Sequence, residues 1–371
     1  MARATKRADG LKEKTFRYNG KKYHVYARTE KELLEKMREK REEVEQASFK
    51  IGKELTVREY GQRWIDNKRN TVKSTTIRQH NMHAKRMNDC EIDNAGHLFG
   101  GLKLAEVEPE HVREVQRRLD AKGFHTSTTN ATINEIRSMF KEAVNDRIVS
   151  FNPAAGIKPL KRREEEARDT CHRALTDEEI TRFFEAARDS WYYDMFCFLI
   201  NTGCRCGEAG ALRYEDVKDG KVTIERTLTR LEDGQYIVGQ EAKTKAGKRS
   251  IPLTEAAKEA LDRQKRFNIQ SKGASIFESD HLFFSNAKGG VADSNHVSEQ
   301  IRYICKKAGI QSFGVHAFRD TFATRAVASG MQPKTLQEIL GHSDIRITLN
   351  LYTHVLEEQK VDEMNRVNIA I

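Results

Sequence analysis

The chain has 371 residues, 32% charged and 38% hydrophobic, which is more than one core organises and enough for two or three domains. Lysine and arginine total 65 against 55 aspartates and glutamates, a net +10 that favours a polyanionic partner, nucleic acid first. No apolar run of ~18 residues exists, so no membrane-spanning helix is expected. No apolar segment follows the basic start, so it is not a secretory signal. The six cysteines are scattered, which points to reduced cytoplasmic thiols and to no closed metal site.

Residues 1–30 hold nine Lys/Arg against three Asp/Glu, a local charge of +6. Within them Thr15–Tyr18, Asn19-Gly20 and Lys21–Tyr26 read as a hairpin with a type I′ turn. That turn pairs Phe16 with Tyr23 and Tyr18 with Lys21 on one face. Arg17 pairs with Lys22 on the other, flanked by Thr15 and His24. One face is mostly aromatic and the other basic. Thr29-x-x-Glu32 opens a helix striped by Leu33, Met37 and Val44, which can cover the aromatic face. Residues 1–52 are therefore expected to be a DNA-binding module with Arg17, Lys21, Lys22 and His24 as candidate contacts. The competing reading is a solvated hairpin whose lysines only block edge pairing.

Residues 53–155 carry helical periods without a strand signal. Thr56-x-x-Glu59 opens a helix with Val57, Tyr60 and Trp64 inward, and a second runs from about Thr75 to Asn88. Pro109 starts a third, with Val112, Val115 and Leu119 inward. A fourth spans about Ser127 to Asp146, and Asn152-Pro153 ends the block. This is expected to be a separate all-helical domain, with Lys73, Ser74 and Thr75 as candidate phosphate contacts at a helix start. Residues 156–172, highly charged and aperiodic, read as an interdomain linker that lets two basic domains close around a duplex.

Residues 173–371 carry the chemistry. Thr176-x-x-Glu179 caps a helix with Ile180, Phe183 and Phe184, and the apolar helix after it ends at Thr202-Gly203. Arg205 follows at the start of the next helix, CRCGEAGALRYEDV, with Glu208 three residues on and on the same face. Val222–Arg226, Gln235–Val238 and Arg249–Leu253 are expected to form a three-stranded sheet, with a Lys-rich tip at Lys243–Lys248. Val315–His354 reads as three short helices broken at Gly330 and Gly341, carrying His316, Arg319, His342 and Tyr352. Arginine grips phosphate oxygens in a planar fork. Histidine moves protons near neutral pH, and a tyrosine hydroxyl forms covalent esters. The fold class expected is mainly α with small β-sheets.

Thr202-Gly-Cys-Arg205-Cys-Gly-Glu208, Lys243-Thr244, His316-x-x-Arg319, Leu340-Gly341-His342 and Tyr352 stand in the order seen in the tyrosine recombinases, which the whole chain resembles. The long form, with an N-terminal hairpin and helix, is similar to integrases of temperate phages and conjugative transposons. The resemblance spans all three modules, and its specific motifs lie between residues 202 and 354. It implies site-specific DNA recombination in the bacterial cytoplasm, without metal or nucleotide cofactor. Arg205 and Arg319 would neutralise the non-bridging oxygens. Tyr352 would attack in line, giving a 3′-phosphotyrosine and a free 5′-hydroxyl. Lys243 would protonate the leaving oxygen, with Lys245 and Lys248 as alternatives in the same loop. His316 would take the tyrosine proton and His342 would hydrogen-bond a non-bridging oxygen. Glu208 would orient Arg205 or His316.

The partners implied are double-stranded attachment sites of core and arm type and a homo-tetramer assembled on DNA through a Holliday junction. The resemblance also implies an excisionase and a host DNA-bending protein as accessory partners. The tail ending Val367-Asn-Ile-Ala-Ile371 is suited to docking in cis or on a neighbour. Two other functions compete: a non-catalytic sequence-specific DNA-binding protein, which has no use for Tyr352, and a topoisomerase of similar chemistry, which needs no second DNA address.

Overall fold

The computed structural model describes residues 5–6, 11–18, 21–163, 166, 173–239, 248–272 and 282–350, with the backbone alone at 5–6, 18, 21 and 44–52. The chain divides into two compact units, Met1–Arg168 and Asp169–Ile371. It is mostly helical with small antiparallel sheets, as expected from the sequence. Among the described residues, no helix is long and apolar enough to cross a membrane.

The first unit begins with strands β1 (Thr5–Lys6), β2 (Lys12–Tyr18) and β3 (Lys21–Ala27), joined in that order. Phe16 faces Tyr23 and Arg17 faces Lys22, the register that a turn at Asn19-Gly20 dictates. Helix α1 (Glu30–Glu54) lies over the apolar face, where Phe16, Val25, Ala27 and Leu33 are buried. Tyr23 stacks on Phe16 with ring centroids 5.3 Å apart. The opposite face is open.

Helices α2 (Val57–Lys68), α3 (Ser74–Asn88), α4 (Pro109–Ala121) and α5 (Thr126–Asn145) pack around Trp64, Ile77, Met87, Val112, Ile136 and Phe140. Thr56 and Glu59 form the capping box that starts α2. Polar pairs fix this core as well as apolar ones. Trp64 Nε1 donates to Glu142 (2.8 Å), and His80 Nδ1 lies 2.6 Å from buried Glu135. The segment after α5 stays on this unit. Leu160 exchanges two hydrogen bonds with Asn130, and Glu166 accepts from Thr126 N–H at 2.7 Å. Burial alone would raise the Glu166 carboxyl, but the Thr126 and Arg163 hydrogen bonds hold it down at about 2.

The second unit is built around α6 (Asp177–Ala186) and α7 (Tyr193–Thr202). Phe183, Phe196, Phe313 and Phe318 pack edge to face or tilted, with centroids 5.1–5.6 Å apart. The helix expected after Arg205 is a single turn, α8 (Cys206–Ala209), followed by a 3-10 turn at Tyr214–Asp216. Gly210 ends it in a place where a Cβ would meet Ala292 O and Leu228 Cδ1 at 2.7 Å.

The three-stranded sheet keeps two of the three expected strands and takes a different third. Its members are β4 (Val217–Lys218), β5 (Lys221–Ile224) and β8 (Arg249–Pro252), in the order β4-β5-β8. Strand β7 (Tyr236–Gly239) pairs instead with β6 (Thr227–Arg230), in a separate two-stranded sheet. The break between β5 and β6 comes at Glu225-Arg226, where the Arg226 guanidinium turns to Asp216 and Glu215. Helices α9 (Glu255–Lys272), α10 (Ser294–Ala308), α11 (His316–Ala328) and α12 (Pro333–Leu340) complete the unit, and residues 345–350 are again helical. Gly330 and Gly341, both at positive φ, end α11 and α12 where the sequence placed the breaks.

Candidate active site

The last turn of α12 exposes three successive carbonyls, those of Ile339, Leu340 and Gly341. Each accepts from a different arginine. Arg249 Nε reaches Ile339 O (2.6 Å), Arg319 Nη2 reaches Leu340 O (2.7 Å), and Arg205 Nη2 reaches Gly341 O (3.4 Å). A helix C-terminus leaves its final carbonyls without intrahelical partners and carries the negative end of the helix dipole. It therefore gathers guanidinium groups. Gly341, at φ +67°, turns the chain so that these oxygens stay accessible.

Arg319 projects from the first turns of α11 and is 3% exposed. Its Nη1 donates to Gly203 O at 2.8 Å. Burial and the charge of Arg205 push its pKa down to about 9, still cationic at neutral pH. Gly203 adopts φ +65°, and a Cβ there would meet Phe322 at 2.6 Å and Leu340 at 2.9 Å. The turn between α7 and Arg205 thus requires glycine.

Arg205 occupies the N-cap position of α8, and its side chain is partly exposed. Glu208 holds it twice: Oε2 accepts the Arg205 backbone N–H (3.0 Å) and Oε1 accepts Nη1 (2.9 Å). Glu208 also takes Arg249 in a fork, at 3.1 Å and 2.6 Å. Burial would raise the Glu208 carboxyl, but the hydrogen bonds from Arg249 and Arg205 prevail and hold it below the usual range.

His342 follows Gly341 directly. Its Nδ1 shares a 2.9 Å hydrogen bond with the hydroxyl of fully buried Thr348, and its carbonyl accepts from Gln337 Nε2 at 3.0 Å. Burial, then the charges of Arg319 and Arg205, push its pKa down to about 4, so the ring is neutral at pH 7. His316 is the first residue of α11, half-exposed, with Nε2 4.0 Å from Asp320 Oδ1. A cleft of about 570 Å³ opens beside His342, lined by Lys248, Arg249, Lys334, Gln337 and Gly341 among others.

The structure therefore brings Arg205, Glu208, Arg319 and His342 to one place, with His316 close enough to His342 to depress its pKa. Lys243, Lys245 and Tyr352 lie outside the described residues; Lys248 is described and exposed. Sequence reasoning missed Arg249 and Thr348. Arg249 stands two residues before buried Ile251 on a strand, so the period of two turns it to the same, inward side. Thr348 lies three residues after Ile345 and four before Tyr352, the spacing of one helical face.

Of the candidate DNA contacts, Arg17, Lys22 and His24 are exposed on the open face of the hairpin. Glu13 shares that face and hydrogen-bonds His24. The Lys21 backbone pairs with Tyr18, and its side chain lies outside the described residues. Lys73 is the N-cap of α3 and makes no side-chain capping bond; Ser74 and Thr75 form its first turn.

The profile of the phage integrase family matches residues 173–359. The chain is 28% identical over 285 residues to a XerC-like tyrosine recombinase of Caldanaerobacter subterraneus subsp. tengcongensis, covering 72% of each. It is also 28% identical to the transposase of transposon Tn916 from Enterococcus faecalis, over 73% of this chain and 69% of that protein. In fold it is similar to the Tn1549 transposon integrase, solved with a circular intermediate DNA. The TM-score is 0.71 at 24% identity, covering 85% of this chain and all of that one. Profile, relatives and fold agree: the chain belongs to the phage integrase family and is a tyrosine recombinase, an enzyme that cuts and rejoins DNA strands.

Proposed function

We propose that this recombinase moves a mobile element by cleaving each strand with Tyr352, and that the arginine cluster at the end of α12 holds the scissile phosphate. The convergence of Arg205, Arg319 and neutral His342 on residues 340–342 carries the reading. A phosphodiester resists attack because it is anionic. Two guanidinium groups place positive charge against its non-bridging oxygens as the pentacoordinate state forms. His342, neutral and held through Nδ1, presents Nε2 to one of those oxygens. His316 accepts the Tyr352 proton and returns it when the partner strand attacks. Lys243 protonates the leaving 5′-oxygen. The 3′-phosphotyrosine conserves the bond energy, so the strand is resealed without a nucleotide.

The rest of the chain supplies address. Residues 1–52 read arm-type sites through Arg17, Lys21, Lys22 and His24. Residues 53–155 read core sites, with Lys73, Ser74 and Thr75 on phosphate, and the charged segment 156–172 joins them to the catalytic domain, residues 173–371. Four copies act on two DNA sites through a Holliday junction, and an excisionase and a host bending protein set direction. The +6 charge of residues 1–30 supports a second DNA contact.

The test uses nicked duplexes tiled across the DNA flanking the coding sequence, in which cleavage releases a short fragment and traps the covalent complex. Wild-type protein is expected to give a protein–DNA adduct on at least one tile, and Tyr352→Phe none. An adduct that persists in Tyr352→Phe, or none on any tile, would refute the reading.

A further inference from the structure

Glu208 is a buried carboxylate serving two arginines, and the two are unlike. The Arg249 side chain is 6% exposed and points inward; the Arg205 side chain is 41% exposed. Arg249 spends three of its five N–H groups on fixed partners: Nε on Ile339 O, Nη1 and Nη2 on the two oxygens of Glu208. Arg205 gives Glu208 one side-chain N–H and its backbone N–H. Arg319 donates to main-chain carbonyls. The group thus holds three arginines and one carboxylate, and the more buried of the carboxylate's two arginines makes the forked contact with it.

We propose that Arg249 is a positioning residue for strand cleavage: by neutralising Glu208 inside the protein, it leaves the charge of Arg205 to the scissile phosphate. The inference rests on the phosphate-binding reading above. A buried carboxylate must be paired. Without Arg249 the only guanidinium within reach of Glu208 among the described contacts is Arg205. Arg205 would then close a fork on Glu208, turn away from the phosphate, and lose its net charge to an internal partner. With Arg249 present, Glu208 acts as a hinge post that orients Arg205 without cancelling it. Ile339 O fixes the angle of the Arg249 fork, which ties the arrangement to the same helix end that holds Arg319.

The experiment measures single-turnover adduct formation on the tile that reacts with wild-type protein. It uses that duplex with either a normal scissile phosphate or a methylphosphonate there, whose missing non-bridging oxygen removes the charge. Arg249→Gln is expected to slow cleavage of the phosphodiester about 100-fold, because an uncompensated Glu208 captures Arg205. On the neutral methylphosphonate, the loss relative to wild type is expected to be at least about tenfold smaller, since less positive charge is needed there. Arg249→Lys keeps the charge without the fork and is expected to recover at least about tenfold over Arg249→Gln. Equal losses on the two substrates, or no loss on the phosphodiester, overturn the proposal and reduce Arg249 to a packing element. Should Arg249→Gln not fold, the paired variant Glu208→Gln/Arg249→Gln is compared with Glu208→Gln alone. Cleavage of the phosphodiester by the paired variant within about threefold of Glu208→Gln supports the proposal, since no carboxylate is left to capture Arg205, and a greater further loss overturns it. A wild-type protein that forms no adduct on any tile refutes the phosphate-binding reading itself, a result distinct from any failure of Arg249.

Discussion

At the scale of single residues, the site depends on which charges are cancelled within the protein. Arg319 is held by main-chain carbonyls, and Arg205 by one carbonyl and a carboxylate that it shares with Arg249, so positive charge is left over beside His342. The same field keeps His342 neutral, with its pKa pushed from the ordinary 6.5 to about 4 by burial, Arg319 and Arg205. Because this histidine binds fewer protons folded than unfolded between those values, its contribution to stability is complete above 6.5 and is lost as pH falls toward 4. NMR titration of the free protein should find the His342 ring titrating near 4, well below the exposed histidines. Addition of cleavable DNA should move it upward, as phosphate charge favours the imidazolium. A midpoint of 6.5 in the free protein, unmoved by DNA, would contradict the electrostatics described here.

Among the elements, the C-terminus of α12 and the turn at Gly203 do the aligning. Gly203→Ala must force positive φ on a residue with a Cβ and push that Cβ into Phe322 and Leu340. The expected cost is roughly 2–4 kcal/mol in urea unfolding, from backbone strain together with overpacking. A change below ~0.5 kcal/mol would show that the turn relaxes. Much of this frame was legible beforehand. The capping boxes at Thr56 and Thr176, the Asn19-Gly20 register and the breaks at Gly330 and Gly341 come from local chemistry, and local chemistry is written in neighbouring residues. The third member of the three-stranded sheet was not legible. Whether 236–239 pairs with 227–230 or with β5 depends on where Arg226 finds its acids, a contact ten residues away in the chain. Arg249 was missed for a similar reason: its partners Glu208 and Ile339 are 41 and 90 residues distant. The alternation with Ile251 marked it as inward without saying toward what.

For the whole molecule, the proposed function divides labour between the two compact units, address in Met1–Arg168 and chemistry in Asp169–Ile371. The open hairpin face carries Arg17, Lys22 and His24, well away in sequence from the arginine cluster. Arg17→Ala/Lys22→Ala is expected to weaken arm-type binding about tenfold at physiological salt and to reduce its salt slope by about two, one per phosphate contact. Covalent trapping on a core tile should stay within about threefold of wild type, since those side chains make no contact there. A parallel loss on core DNA would assign the hairpin to the core address instead. The most direct test of the central claim is to digest the trapped complex and locate the nucleotide by mass spectrometry. The account predicts a single peptide bearing the DNA 3′-phosphate on the Tyr352 hydroxyl. Attachment at another residue, such as Tyr303 on the exposed face of α10, or through a 5′-phosphate, would contradict it.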